Sequence, residues 1–146
     1  FVASAQDADV DAYVQAFCGL READGGAGRI YLLSPGLTEV VTAALEKNAA
    51  IQAETPDEKP PLGDGVPYQG FQDYAPVCEP GASVAEGDKI IAEVNYAFPD
   101  EEGAKATDRL VLVKGEGGVY VIDDIRYGAE GDENTLRSAL AGAFAE

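Results

Sequence analysis

The sequence predicts an α+β domain: two amphipathic helices, then an antiparallel β-sheet, then a C-terminal helix. Three observations carry this. Residues 89–127 hold three successive stretches of strand-like alternation separated by turn chemistry. Apolar residues before it recur at helical spacing. A last helical stripe follows it.

An irregular first strand within Asp73 to Glu86 carries Cys78. In the first of the three alternating strands, Lys89 to Phe98, the residues Ile90, Ala92, Val94, Tyr96 and Phe98 share a face. Pro99 to Gly103 supplies a turn. In the return strand, Thr107 to Lys114, Leu110 and Leu112 oppose Val111 and Val113. Both faces are apolar there, which predicts a central strand covered at least in part on both sides. The run Gly115-Glu116-Gly117-Gly118 marks a hairpin. The last strand, Val119 to Tyr127, is rich in β-branched and aromatic residues. Strict alternation groups Val119, Val121, Asp123, Ile125 and Tyr127. Asp123 is therefore either a strand-end carboxylate held by a backbone amide or facing solvent, or a pocket-lining group. Asp124 reads as a surface group paired with Arg126.

Taken from the start, residues 1–6 read as a signal-peptide remnant or disordered tail, because Ala3-Ser4-Ala5 matches a signal-peptidase site and Phe1 and Val2 fit the end of an apolar segment. Residues 7–146 form a single domain. Asp7 to Arg21 is a helix whose stripe is Val10, Tyr13, Val14, Phe17 and Leu20. The glycines at 25–28 predict a flexible connection; the lysine and hydroxyl of a phosphate loop are missing. Arg29 to Leu33 is short and apolar. Ser34 as N-cap and Pro35 at the first helical position start a second helix, striped by Leu37, Val40, Val41, Ala44, Leu45 and Asn48 and fading near Ala53. Residues 54–69 are a loop rich in proline, glycine and charge. Tyr68, Phe71 and Tyr74 either line a cleft or pack this loop down. The final helix is capped by Asn134 or Asp132 and turns Leu136, Leu140, Ala143 and Phe144 inward.

The formal net charge is -17, from 27 acids and 10 bases. This excludes nucleic acid and anionic membrane as partners and suits a basic protein. No apolar run reaches the roughly 20 residues of a membrane span, so no membrane insertion is expected. There is no histidine, so a two-cysteine zinc site would need carboxylates to complete it. No metal or cofactor is expected. Cys18 and Cys78 are either free thiols or a disulfide. The export signal favours the disulfide and a periplasmic or secreted location. Closing a loop of roughly 60 residues is worth on the order of 4 kcal/mol.

The buried aromatics Tyr13 and Phe17, the helix start Leu33-Ser34-Pro35-Gly36-Leu37, and the ending Val119 to Tyr127 followed by Thr135, Leu136 and Leu140 carry a resemblance. Together they resemble the nuclear-transport-factor-2-like superfamily of cone-shaped α+β domains, and within it a bacterial exported family of unknown function. Tyr120 stands where that family often has tryptophan. The resemblance implies a curved sheet and a pocket between helices and sheet, with Tyr13, Phe17, Tyr96, Phe98, Asp123 and Tyr127 as candidate lining. It also permits a homodimer through the open sheet face near Leu110 to Val113.

Three functions follow as expectations. The first is a non-catalytic exported binding protein, such as an inhibitor or immunity protein for a basic partner; no catalytic residues are assigned in it. The second is an isomerase or dehydratase using Asp123 as base with Tyr13 or Tyr96 as donor. The third is a carrier of a small apolar ligand.

Overall fold

The computed structural model describes residues 5–21, 24–63, 65–71, 73–128 and 134–145. The readings placed on residues 1–4 and on Asp132 lie outside these.

Helix α1 spans Ala5–Leu20. Its predicted stripe faces inward, with Val10, Val14 and Phe17 fully buried. A run of 3-10 turns, Asp24–Leu32, follows where the glycines suggested a flexible connection. Glycine has poor α-helical propensity, and the tighter i→i+3 turn lets the chain stay ordered in a short span. Helix α2, Pro35–Glu54, begins as predicted. The Ser34 hydroxyl accepts from the Leu37 amide, and Pro35 occupies the first turn. Leu37, Val41 and Ala44 are buried, whereas Leu45 is exposed at the border of the stripe.

The sheet is a four-stranded antiparallel meander in the order β1-β2-β3-β4. Its strands are β1 (Val77–Glu86), β2 (Lys89–Phe98), β3 (Ala104–Lys114) and β4 (Tyr120–Arg126). β3 is an interior strand, as its two-sided apolar pattern requires. Ile90, Ala92, Val94 and Tyr96 of β2 join Leu110 and Leu112 of β3 in the core against the helices. The β2–β3 turn places Glu102 and Gly103 at φ 60° and 73°. Glycine tolerates this at no cost and glutamate does not.

Alternation fails in β4. Val111 pairs with Asp124 and Leu112 with Ile122, so Asp123 is an extra residue bulged out of the ladder. The bulge puts both Ile122 and Ile125 in the core, fully buried. It also takes Asp123 out of the apolar set in which period-two counting placed it.

The sheet curves strongly. Across a flat sheet, β1 and β4 would lie about 14 Å apart. Yet Arg126 on β4 makes a two-pronged pair with Glu86 at the end of β1, at 2.9 and 3.1 Å. Arg126 was expected to pair with Asp124. Asp124 instead accepts from the backbone amides of Ile125 and Arg137. On the face away from the helices, Ile91 and Val111 are buried as well.

Helix α3, Leu136–Ala143, is capped by Thr135 rather than Asn134 or Asp132. Thr135 and Ser138 form a reciprocal capping box. Leu136 and Leu140 are buried against the core as expected. The edge of β4 is covered by isolated bridges from Leu33 to Ile122 and from Thr135 to Arg126, which blunts it as a template for further strands.

Cys18 on α1 and Cys78 on β1 form a disulfide, with Cα atoms 5.7 Å apart. It ties the far end of the long loop to the first helix.

Candidate functional site

The long loop after α2 is ordered by polar anchors along its length. The Leu62 amide donates to Asn48 Oδ1 on α2 at 2.9 Å. Tyr127 donates its hydroxyl to the Pro67 carbonyl. Gln69 caps the carbonyls of Phe71 and Asp73. The Gly70 amide donates to Asp108 Oδ2 at 2.8 Å, and Asp108 Oδ1 accepts from the Gly128 amide at 2.9 Å. Asp108 is 2% exposed. This buried carboxylate therefore clamps the long loop and the segment after β4 onto β3. Buried charge of this kind is tolerated because charged hydrogen bonds replace its hydration.

Between this loop, the 3-10 run and the end of α1 lies a cleft of about 840 Å³, open to solvent on one side. Its aromatic wall is Tyr68, Phe71 and Tyr74 from the loop and Tyr127 from beyond β4. Leu45 of α2, Leu62 and Val66 add apolar surface. The volume is that of small-molecule sites, and the lining combines this apolar surface with polar groups from Gln69, Lys59 and glycine backbone.

Three cations line this cleft, Arg21, Arg29 and Lys59, and the two arginines stand against aromatic rings. Arg29 is only 4% exposed. Its guanidinium stacks on Phe17 at 4.3 Å and lies 5.5 Å from the Tyr68 ring. Its Nε and Nη2 are buried and have no hydrogen-bond partner. Arg21, at the end of α1, stacks on Tyr74 at 4.6 Å, and its Nη1 is likewise buried and unpartnered. Burial lowers the Arg29 pKa from 12.5 to about 10, and the charge on Arg21 works in the same direction. Arg29 is still a cation at neutral pH. An unpaired buried charge costs several kcal/mol, of which stacking on an aromatic face returns about 2.

Tyr96 sits beneath this site with a buried, unpartnered hydroxyl. Its ring meets Phe71 edge-on at 4.8 Å. Burial pushes its hydroxyl well above the ordinary 10.0, and Asp108 adds to the effect. Burial likewise raises Tyr13, Tyr68 and Tyr127.

The sequence-predicted site residues divide into three groups. Tyr127 lines the cleft. Phe17, Tyr96 and Phe98 form its inner support: Phe17 lies under Arg29, while Tyr96 and Phe98 contact Phe71. Phe17 and Tyr96 are at 0% and 1% exposure. They fill the space between helices and sheet where the cone pocket was expected, and the cleft lies beside it. Tyr13 and Asp123 are engaged elsewhere. Tyr13 donates to the Leu32 carbonyl. Asp123 accepts from the Ser34 hydroxyl at 2.9 Å and from Arg137 Nη2 at 3.1 Å.

Sequence reasoning missed Arg21, Arg29 and Asp108. The available signal for Arg29 was a lone cation opening the apolar run 29–33. Among the described residues, no three His, Cys, Asp or Glu side chains gather as a metal site. Comparison with protein-family models, curated proteins and solved structures finds no match to this chain.

Proposed function

We propose that this domain is a non-catalytic binding protein whose cleft takes a small ligand with an apolar body. The carrying observation is the 840 Å³ cleft walled by Tyr68, Phe71, Tyr74 and Tyr127. It is built by a loop that several anchors and a disulfide hold in place. A prepared site of this kind avoids the ordering cost of binding.

This reading stands ahead of the isomerase. Asp123 is committed to Ser34 and Arg137, and Tyr13 to a backbone carbonyl, which leaves neither poised for proton transfer. It also stands ahead of an inhibitor of a basic protein, whose support is the net charge of -17. The disulfide fits an oxidising compartment, and no helix among the described residues is long and apolar enough to cross a membrane. A periplasmic or secreted setting is part of the proposal, as is kinship with the nuclear-transport-factor-2-like superfamily.

The test is amide chemical-shift mapping with a set of small aromatic and aliphatic compounds. Binders should shift the amides of Gly65, Gly70 and Tyr127 and spare Glu93 and Thr107 on the opposite face of the sheet. A set that shifts nothing, or only the opposite face, overturns the proposal.

A further inference from the structure

We infer that the ligand of this cleft is an anion, a carboxylate carrying an aromatic or aliphatic body, and that Arg29 and Arg21 seat its head. This rests on the cleft being a ligand site and goes beyond it in naming the ligand's chemistry.

Arg29 is the carrying observation. A side chain this deeply buried is normally paired. The two nitrogens without partners, Nε and Nη2, are those on the side-on edge of the guanidinium. That edge offers two parallel N–H groups, the fork that a carboxylate accepts in two-pronged fashion. The flat faces of the guanidinium serve a different purpose, stacking on Phe17 and Tyr68. Stacking thus orients the guanidinium plane. Its Nε and Nη2 edge is closed to solvent as well as unpartnered, so a carboxylate reaches it as the side chains over it shift aside.

Arg21 is the independent second observation. It comes from a different element and lines the same cleft. It too stacks on an aromatic ring and buries a nitrogen that has no partner. Its charge is close enough to depress Arg29. Two like charges held close together repel each other, and an anion between them would relieve that repulsion. The Tyr96 hydroxyl, buried nearby without a partner, is a third donor without an acceptor. The rest of the lining is mostly aromatic, aliphatic and glycine residues, with Lys59 and Gln69 as its other polar side chains, so the body of the ligand is mainly apolar.

The experiment is isothermal titration of the intact, disulfide-bonded protein with matched pairs: phenylacetate against phenylacetamide, 2-naphthoate against 2-naphthamide, and decanoate against decanamide. Each carboxylate should bind at least about tenfold more tightly than its amide, as charged two-pronged hydrogen bonds in a dry site require. Arg29→Met should abolish that preference while keeping the fold, because replacing an unpaired buried cation by an apolar chain of similar length is neutral or stabilising. Arg29→Lys should keep the charge and lose most of the preference. Arg21→Met, on a more exposed side chain, should reduce it. Amides that bind as well as carboxylates would overturn the anion inference and leave the cleft standing as an apolar site. A carboxylate preference that survives in both Arg29→Met and Arg21→Met would overturn the assignment of the head-group seat. Failure of every acid and amide to bind would overturn both readings.

Discussion

The Ser34 hydroxyl lies 2.9 Å from Asp123 Oδ1 and also accepts from the Leu37 amide, 3.1 Å away. One oxygen therefore caps α2 and ties that cap to the bulge in β4. The neighbouring Ser34 amide donates to the Ile122 carbonyl at 2.7 Å, so the junction is joined through backbone as well. Ser34→Ala should lower stability by about 1–2 kcal/mol, the usual cost of an N-cap. The partly exposed Arg137–Asp123 pair is worth less, about 0.5 kcal/mol. Urea denaturation of Ser34→Ala, Asp123→Ala and the double variant should show the two losses as non-additive, because they share the Ser34–Asp123 bond. Strict additivity would mean that this bond contributes nothing.

Asp108 should be the most sensitive polar position. Asp108→Ala removes the acceptor of both the Gly70 and Gly128 amides. The expected loss is about 3 kcal/mol, from two charged hydrogen bonds in a buried site. Hydrogen exchange should speed up at Gly70 and Gly128 before the amides of β2 and β3 respond. An unchanged exchange pattern would show that the loop is held by other contacts.

Gly70 tests the same clamp from the other side. A Cβ there would meet Asp108 Oδ1 at 2.9 Å and Tyr127 Cβ at 3.0 Å. Neither atom is the free end of a flexible chain. Gly70→Ala should cost about 1–3 kcal/mol through overpacking, read as a lower thermal midpoint. It should also weaken binding in the cleft that this loop walls.

The disulfide closes a chain segment with a sequence separation of 60. Replacing both cysteines by alanine should cost up to about 4 kcal/mol, chiefly by freeing the unfolded chain. Chemical denaturation of oxidised and reduced protein measures this directly. A difference below about 1 kcal/mol would show that residual structure in the reduced, unfolded chain offsets this gain.

Alkaline pH should unfold the domain. The folded pKa values of Tyr13, Tyr68, Tyr96 and Tyr127 all lie above the unfolded 10.0. Above pH 10 the unfolded chain releases protons that the folded chain retains, so stability falls as pH rises from there. Phenolate absorbance at about pH 11 should be lower for the folded protein than for the same chain in denaturant. Equal absorbance would mean that these four hydroxyls reach solvent.

Local chemistry made most of the elements legible in the sequence. Ser34-Pro35 starts a helix because a side-chain oxygen and a ring-locked φ satisfy the first turn without help from elsewhere. The stripe Val10, Val14, Phe17 and the alternation Ile90 to Tyr96 state which faces are buried, since both periods are properties of the backbone. The tertiary structure decided what local periodicity cannot carry. The bulge at Asp123 is chosen by packing, because it lets Ile122 and Ile125 both enter the core. The cap of α3 passed to Thr135 because Ser138 lies three residues on to reciprocate. The cleft depends on contacts between residues far apart in the chain, such as Gly70 with Asp108 and Tyr127 with Pro67. The unpartnered edge of Arg29 is a property of its surroundings: in the sequence it is one of 10 cations, and only burial against Phe17 and Tyr68 makes it one that needs an anion.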